Sequence, residues 1–420
     1  MKFIHTADIH LDSPLAGLSA ATGAPAARLR DSTRAALRNL VDYALAEAVD
    51  FVVIAGDLYD GTWRDYSTGL FLVAQMARLA CADVPVYIVL GNHDAASKLT
   101  RQLTLPANVH VFPADAARTV LLDAHDVALH GRSFPTQAVS ENIALAYPPP
   151  VPGRFNVGIL HTAAGGREAH ANYAPCALSD LLAKGYDYWA LGHVHAREVL
   201  SERPHVVFCG NLQGRNIRET GPKGFTLVHV EGGRVVAADH VAADAVRWFR
   251  CRVDLARASG LDDVLEAVEL AFAAVAADAE DRLAIVRLDL DGPTPAHAAV
   301  TRERERLVAE CQAAALRAPG DVWIERVCVA TRPAHGFDAA VERPDAVGAL
   351  LRSVTAMTGD DAARAALAAE LDQIVSRLPA DVRGSWTDGG VTIADARLDT
   401  AIAAARDLLA GRILTAEGGT

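Results

Sequence analysis

The chain has 420 residues, a formal net charge of −12, and 51% hydrophobic and 22% charged residues, a globular composition with material for two or three domains. The acidic balance argues against a protein that coats nucleic acid non-specifically, although divalent cations held in a cleft would reverse the local sign. No stretch approaches the roughly 20 uncharged apolar residues of a membrane span, the start MKFIHTADIH lacks the apolar core of an export signal, and six scattered cysteines without a C-x-x-C pair suit reduced thiols in a cytoplasm.

Five segments of the first half read as buried strands that end in polar residues: KFIHTADIH, DFVVIAGD, VPVYIVLGNHD, RFNVGILHT and YDYWALGHVH. A helical apolar spacing runs from Ala27 to Val49 between the first two, and a second from Ser67 to Cys81 between the next two. Strands alternating with helices predict a largely parallel sheet covered on its faces. The shorter strands VALHGRSF and HVVFCGN, and the hairpin FTLVHVE-GG-RVVAADHV, predict a second sheet packed beside the first. The expected fold is therefore a layered α/β domain over residues 1–241. The pattern restarts at Arg247: RWFRCRVDL, a helix at Leu261–Ala277, RLAIVRLDL, a helix at Pro295–Arg317 and DVWIERVCV predict a small βαβαβ domain over 246–332. Residues 340–420 read as helical, with segments Arg343–Met357, Asp360–Leu378 and Ala394–Leu409. Leu350, Leu351, Val354 and Met357 share one face there, either to dock a partner or to pack on the chain itself.

Thirteen of the fifteen histidines lie at or before His240, so imidazole chemistry belongs to the first half. Asp8 and His10 stand two apart, which on an extended strand puts them on one side; His193 and His195 do the same. Asp57, Asn92 with His93, and His161 close the other strands. In open α/β sheets, sites form beyond the carboxyl ends of the strands, where all of these fall. Singly, each motif is common in turns; five in order at strand tips form a constellation. The donors are two carboxylates, one amide and four imidazoles, with one histidine to spare. They suit Mn²⁺, Mg²⁺, Fe²⁺ or Zn²⁺. Seven donors exceed one ion, whereas two ions about 3.5–4 Å apart would share a bridging carboxylate. Asp57, on the strand expected between the others, fits best as the bridge.

The motifs D-x-H (8–10), G-D (56–57), G-N-H-D (91–94), His161 and G-H-V-H (192–195) resemble the calcineurin-like metallophosphoesterase superfamily. HTADIHLDSPLAGL, GDLYD, GRSF, LGHVHAREVL and GNLQGRNIRETGPKG are similar to bacterial DNA repair exonucleases of the SbcD and YhaO kind, over about residues 1–230. The resemblance implies an αββα-type core with a small capping domain and a helical tail. It implies that Asp8, His10, Asp57 and His195 hold one metal, and Asp57, Asn92, His161 and His193 the other. His93 would be the general acid and Asp94 would hold its tautomer. It further implies two divalent ions, Mn²⁺ first with Mg²⁺ or Fe²⁺ as alternatives, hydrolysis of DNA phosphodiesters, an SMC-like coiled-coil ATPase partner of the SbcC or YhaN type, and a homodimer as an option.

At position 60 some relatives carry a histidine that touches substrate; Asp60 breaks that carry-over. Asp12 and Ser13 either support the site or cap the following helix. Arg215, Arg218 and Lys223, with Arg64 and Arg132, are candidates for DNA phosphates, or else ordinary solvated charges. Trp63 either stacks on a base or packs inward. Two competing readings stand beside the nuclease: a phosphatase acting on a small molecule or a phosphoprotein, and a non-catalytic scaffold for the ATPase.

Overall fold

The computed structural model describes residues 1–13, 25–60, 66–96, 104–165, 173–334, 341–358, 360–377, 397–402 and 405. Contact clustering divides the chain into one compact unit of Met1–Phe249 with Ala279–Ile285, and a second of Arg250–Asp278 with Val286–Thr420.

The first unit opens with β1 (Lys2–Thr6), α1 (Pro25–Ala46), β2 (Phe51–Ala55), α2 (Tyr66–Ala80), β3 (Val86–Val89), the short α3 (Asn92–Ala96) and β4 (Val109–Val111). Strands β1 to β4 pair in parallel in chain order, as strand–helix alternation requires. Their inward residues alternate with period two. Ile4, Val52, Ile54, Val86 and Ile88 pack under α1 and α2, while Phe3, Phe51, Val53, Tyr87 and Val89 turn to the other face. There they meet a second sheet built from β5 (Arg118–Leu122), β6 (Val127–Gly131), β7 (Phe155–His161), β8 (Tyr188–Gly192), β9 (Glu198–Glu202) and β10 (His205–Phe208), in the order β5-β6-β7-β8-β10-β9. Its outer face buries Trp189, Leu160, Tyr186 and Phe208 with Leu181 of α4 (Leu178–Ala183). The strands β11 (Gly224–Glu231) and β12 (Arg234–Ala242) form the expected hairpin but complete the first sheet beside β1 instead of joining the second, whereas β7 and β8, expected with the first three strands, lie in the second sheet. Gly232 and Gly233 both take positive φ, 56° and 71°, as a two-residue turn matched to strand twist demands. The unit is thus a four-layer sandwich, helix–sheet–sheet–helix, with three apolar interfaces.

The remaining elements are β13 (Val246–Asp254), α5 (Leu261–Ala279), β14 (Leu283–Thr294), α6 (His297–Arg302), α7 (Arg304–Arg317) and β15 (Val322–Pro333), with α8 (Ala346–Thr358) and α9 (Asp361–Val375) following. The strands form one three-stranded sheet, β13-β14-β15. The single helix expected over Pro295–Arg317 is two: Glu303 leaves the helical region at φ −105° and ψ 34°, and its carboxylate takes Arg302 and Arg306. On α8, Leu351 is buried and Leu350 is 51% exposed; the side chains of Val354 and Met357, and most of the expected last helix, lie outside the described residues. Among the described residues, no helix is long and apolar enough to cross a membrane.

Candidate metal centre

The parallel strands of both sheets deliver their carboxyl ends to one edge, and the seven expected donors meet there. The route differs from the expectation at two places. Strand β1 ends at Thr6 and β8 at Gly192, so Asp8, His10, His193 and His195 lie beyond regular strand and period two does not aim them. Left-handed backbone does: φ is 50° at Asp8, 44° at His10, 54° at Asp57 and 97° at His193. For residues with a Cβ such conformations are strained and persist where the surroundings enforce them. The enforcing bonds are visible. Asp8 N–H donates to Gly56 O at 2.9 Å, His10 N–H to Asp57 O at 3.1 Å, and His193 N–H to Asp8 Oδ2 at 2.8 Å. Glycines give the loops the room they need: a Cβ on Gly192 would collide with Ala55 O, and one on Gly91 with Asp57 Oδ1.

The donor atoms of Asp8, His10 and His195 lie within 4.8 Å of one another, and so do those of Asp8, Asp57 and His161. Asp57 Oδ2 lies between the groups, 3.9 Å from His10 Nε2 and 3.5 Å from His161 Nε2. The ring of His193 sits 5.2 Å from that of His161, centroid to centroid. Several of these contacts suit donors gathered around cations. His161 Nδ1 faces the Ala55 carbonyl at 2.9 Å, so it carries the proton and leaves Nε2 bare; Nε2 then meets Asn92 Oδ1 at 2.9 Å, lone pair to lone pair. His10 Nε2 and His195 Nε2 face each other at 3.2 Å, and buried Asp8 Oδ1 has no hydrogen-bond partner. A divalent ion among such donors would take these contacts as coordination. Electrostatics agrees. Burial, with the charge of Asp57 second, raises the Asp8 carboxyl well above its usual range, and burial lifts Asp57 to about 6. Burial also lowers His161 to about 3 and His10 well below its usual value. Neutral imidazoles and carboxylates lacking counter-charge are what metals take up.

Comparison with known proteins bears on this geometry. The calcineurin-like phosphoesterase family matches residues 1–197, and the middle domain of metallophosphoesterase YhaO matches residues 248–332. An uncharacterized metallophosphoesterase, YhaO, of Bacillus subtilis (strain 168) is 38% identical over 299 residues, 70% of this chain and 72% of that protein. The chain belongs to the calcineurin-like metallophosphoesterases. The DNA double-strand break repair protein Mre11 of Methanopyrus kandleri is 25% identical over 275 residues, 60% of this chain and 58% of that protein. A dimetal phosphatase from Danio rerio aligns in structure at 15% identity and a TM-score of 0.34, over 58% of this chain and 97% of that one.

Around this metallophosphoesterase centre the structure reassigns several supporting residues. Asp94, expected to hold the His93 ring, does not reach it. Its oxygens accept the backbone N–H groups of Leu58, Tyr59 and Gly91 at 3.2, 3.1 and 3.0 Å, so it knots the Asp57 and Asn92 loops together. Burial raises it to about 7 despite those bonds. The first turn of α3 carries the Asp94 carboxylate into the fold and leaves His93 facing out. Asp60 takes the tautomer role instead, with Oδ1 2.9 Å from His93 Nδ1 and Oδ2 accepting Ser13 Oγ at 2.6 Å. The GDLYD segment carried that signal, three residues beyond Asp57. Asp12 anchors helices: it takes Arg34 Nε at 2.8 Å and the Thr68 hydroxyl.

The basic candidates separate as well. Arg215 turns into the site, 3.6 Å from Asp60 Oδ2 and 3.8 Å from Glu219 Oε1. Lys223, expected at DNA phosphates, is only 9% exposed and gives Nζ to His195 O at 3.2 Å, because β11 begins beside it and draws it inward. Arg132 gives Nε to Ala114 O, and Arg218 is exposed. Arg64 and Trp63 lie outside the described residues.

Proposed function

We propose that the chain is a metal-dependent nuclease that hydrolyses DNA phosphodiesters, with Mn²⁺ as the first metal to try and an SMC-like coiled-coil ATPase as its partner. The observation that carries the reading is the pairing of a complete dinuclear donor set with a half-exposed, carboxylate-held histidine at its rim. The two ions, when bound, supply Lewis-acid charge and lower the pKa of a water. Asp8, His10, His195, Asp57, Asn92, His161 and His193 would hold them. His93 lies at the rim of the donor set, its Nε2 4.0 Å from Asp57 Oδ2 and its side chain 33% exposed, and in this reading it faces the leaving oxygen. The hydrogen bond to Asp60 raises the His93 pKa, burial opposing it, so the ring keeps a proton to hand to a departing alkoxide. Such proton transfer is worth about 10²–10⁴-fold. Arg215, pinned between Asp60 and Glu219, offers a guanidinium for a non-bridging phosphate oxygen. The repair-protein name of the Methanopyrus kandleri relative supports DNA as the substrate, and the partly exposed α8 offers a face to an ATPase.

The test is end-labelled double-stranded DNA and a simple phosphomonoester, each with purified chain and Mn²⁺, beside His93→Ala. Mn²⁺-dependent shortening of DNA that falls by about 10²-fold or more in His93→Ala is the expected result. Monoester turnover with intact DNA would replace the nuclease by a phosphatase. Inactivity on both, with and without an ATPase partner, would leave the scaffold.

A further inference from the structure

The ligand imidazoles are held from behind in different ways. His161 leans on a neutral carbonyl. His195 leans on a carboxylate: Glu219 Oε1 lies 2.8 Å from His195 Nδ1. Glu219 is itself braced, its other oxygen accepting Asn211 Nδ2 at 2.9 Å and Arg215 N–H at 2.7 Å, and its side chain is 12% exposed. The segment that carries it, residues 210–223, grips His195 at its other end too. Asn211 N–H donates to His195 O at 3.3 Å and Lys223 Nζ to the same oxygen at 3.2 Å. Asn211 also bridges in parallel to Ala7, next to Asp8. One fully buried asparagine thus joins the Glu219 brace to the loop that bears another donor.

We propose that Glu219 is a positioning residue for metal binding: it fixes the Nδ1–H tautomer of His195, aims Nε2 at Asp8 and His10, and makes this imidazole a stronger donor than His161. A carboxylate that accepts only from a neutral imidazole forces the proton onto Nδ1, and anionic partners behind metal-bound histidines raise donor strength and fix ring orientation. The inference rests on the metal-site reading above and adds an asymmetry to it. The ion held by Asp8, His10 and His195 depends on Glu219, and the ion held by Asn92, His161 and His193 does not.

The experiment is a calorimetric titration of the full metal-free chain with Mn²⁺, with bound ions counted by electron paramagnetic resonance, for wild type and Glu219→Gln. Glutamine can still accept from Nδ1 but carries no charge. Expected are two ions in wild type and, in Glu219→Gln, one binding step weakened by about 10–100-fold with the other unchanged. Phosphodiester turnover should return when Mn²⁺ is raised by the same factor, which a collapsed loop would not allow. Should Glu219→Gln fail to fold, Glu219→Asp, whose shortened carboxylate withdraws from His195, is expected to weaken the same step. Unchanged affinities in the folded variant overturn the inference, and so does equal weakening of both steps with turnover that Mn²⁺ does not restore. A wild-type chain that takes up no Mn²⁺ removes the metal-site reading itself, and the inference with it.

Discussion

Asp60→Asn separates proton donation from metal binding. Asparagine keeps an acceptor for His93 Nδ1, so ring and tautomer stay while the charge goes. The lost interaction is a 2.9 Å contact between side chains 33% and 25% exposed. A hydrogen bond to a charged group contributes about 1.5–3 kcal/mol, and partial solvent screening trims this to about 1–2 kcal/mol. At about 1.4 kcal/mol per decade that is a 5–30-fold loss of kcat, order-of-magnitude. The loss should appear on DNA, whose leaving alkoxide needs a proton, and should shrink below about 2-fold on bis(4-nitrophenyl) phosphate, whose leaving group needs none. The sign of the pH effect follows. Asp60 raises the His93 pKa, so its removal lets the ring lose its proton earlier, and the alkaline limb of the DNA profile moves to lower pH. Equal loss on both substrates would mean that Asp60 acts through the metals, and no loss on DNA would remove His93 as the acid it serves.

Gly91→Ala places a methyl against Asp57 Oδ1 and its backbone N; Mn²⁺ uptake should weaken by about 10-fold or more in calorimetry, and unchanged uptake would show that the loop yields. Asp244→Ala removes a buried carboxylate that takes Arg247 at 3.0 and 3.1 Å and Arg282 at 3.0 Å. Arg247 and Arg282 then lose a carboxylate they share while Glu280 still faces both at 3.4 and 2.7 Å, and urea unfolding should report a loss of about 1–3 kcal/mol; less than about 0.5 kcal/mol would mean that Glu280 and water replace it. His5 is fully buried between Tyr188 OH and Leu191 O, and burial lowers its pKa to about 3. Its folded value lies below the unfolded 6.5, so the unfolded chain binds the extra proton and stability falls as pH drops from about 6.5 toward 3. Going from pH 7 to 5, wild type should lose about 2 kcal/mol more than His5→Gln in urea melts, and parallel losses would contradict the assignment.

The sandwich was legible because its signals are local. Unbroken apolar runs such as FVVIA and VYIV, with helical spacing between them, sufficed for the parallel order of β1 to β3, and the donors were legible as lying at or just past strand ends, although left-handed backbone rather than strand period aims Asp8, His10 and His193. The supporting residues were not legible for the same reason. Asp94 follows His93 directly, which suggested partnership, yet a helical turn points neighbours about 100° apart. Glu219 lies 24 residues from His195, and nothing in a one-dimensional pattern reveals that the segment after β10 folds back. Lys223 read as a candidate for DNA phosphates or a solvated charge because nothing local shows that its Nζ reaches the His195 carbonyl, 28 residues away.

The left-handed backbone at Asp8, His10, Asp57 and His193 bears on how this enzyme can be engineered and how it decays. Each such residue stores about 1–3 kcal/mol, so the catalytic edge works against the melting temperature of the whole domain. Glycine or asparagine at these positions would relax the chain while abolishing its chemistry. A screen for heat resistance alone would therefore enrich inactive proteins, and a lineage released from selection on activity would drift first toward a sturdier, silent copy.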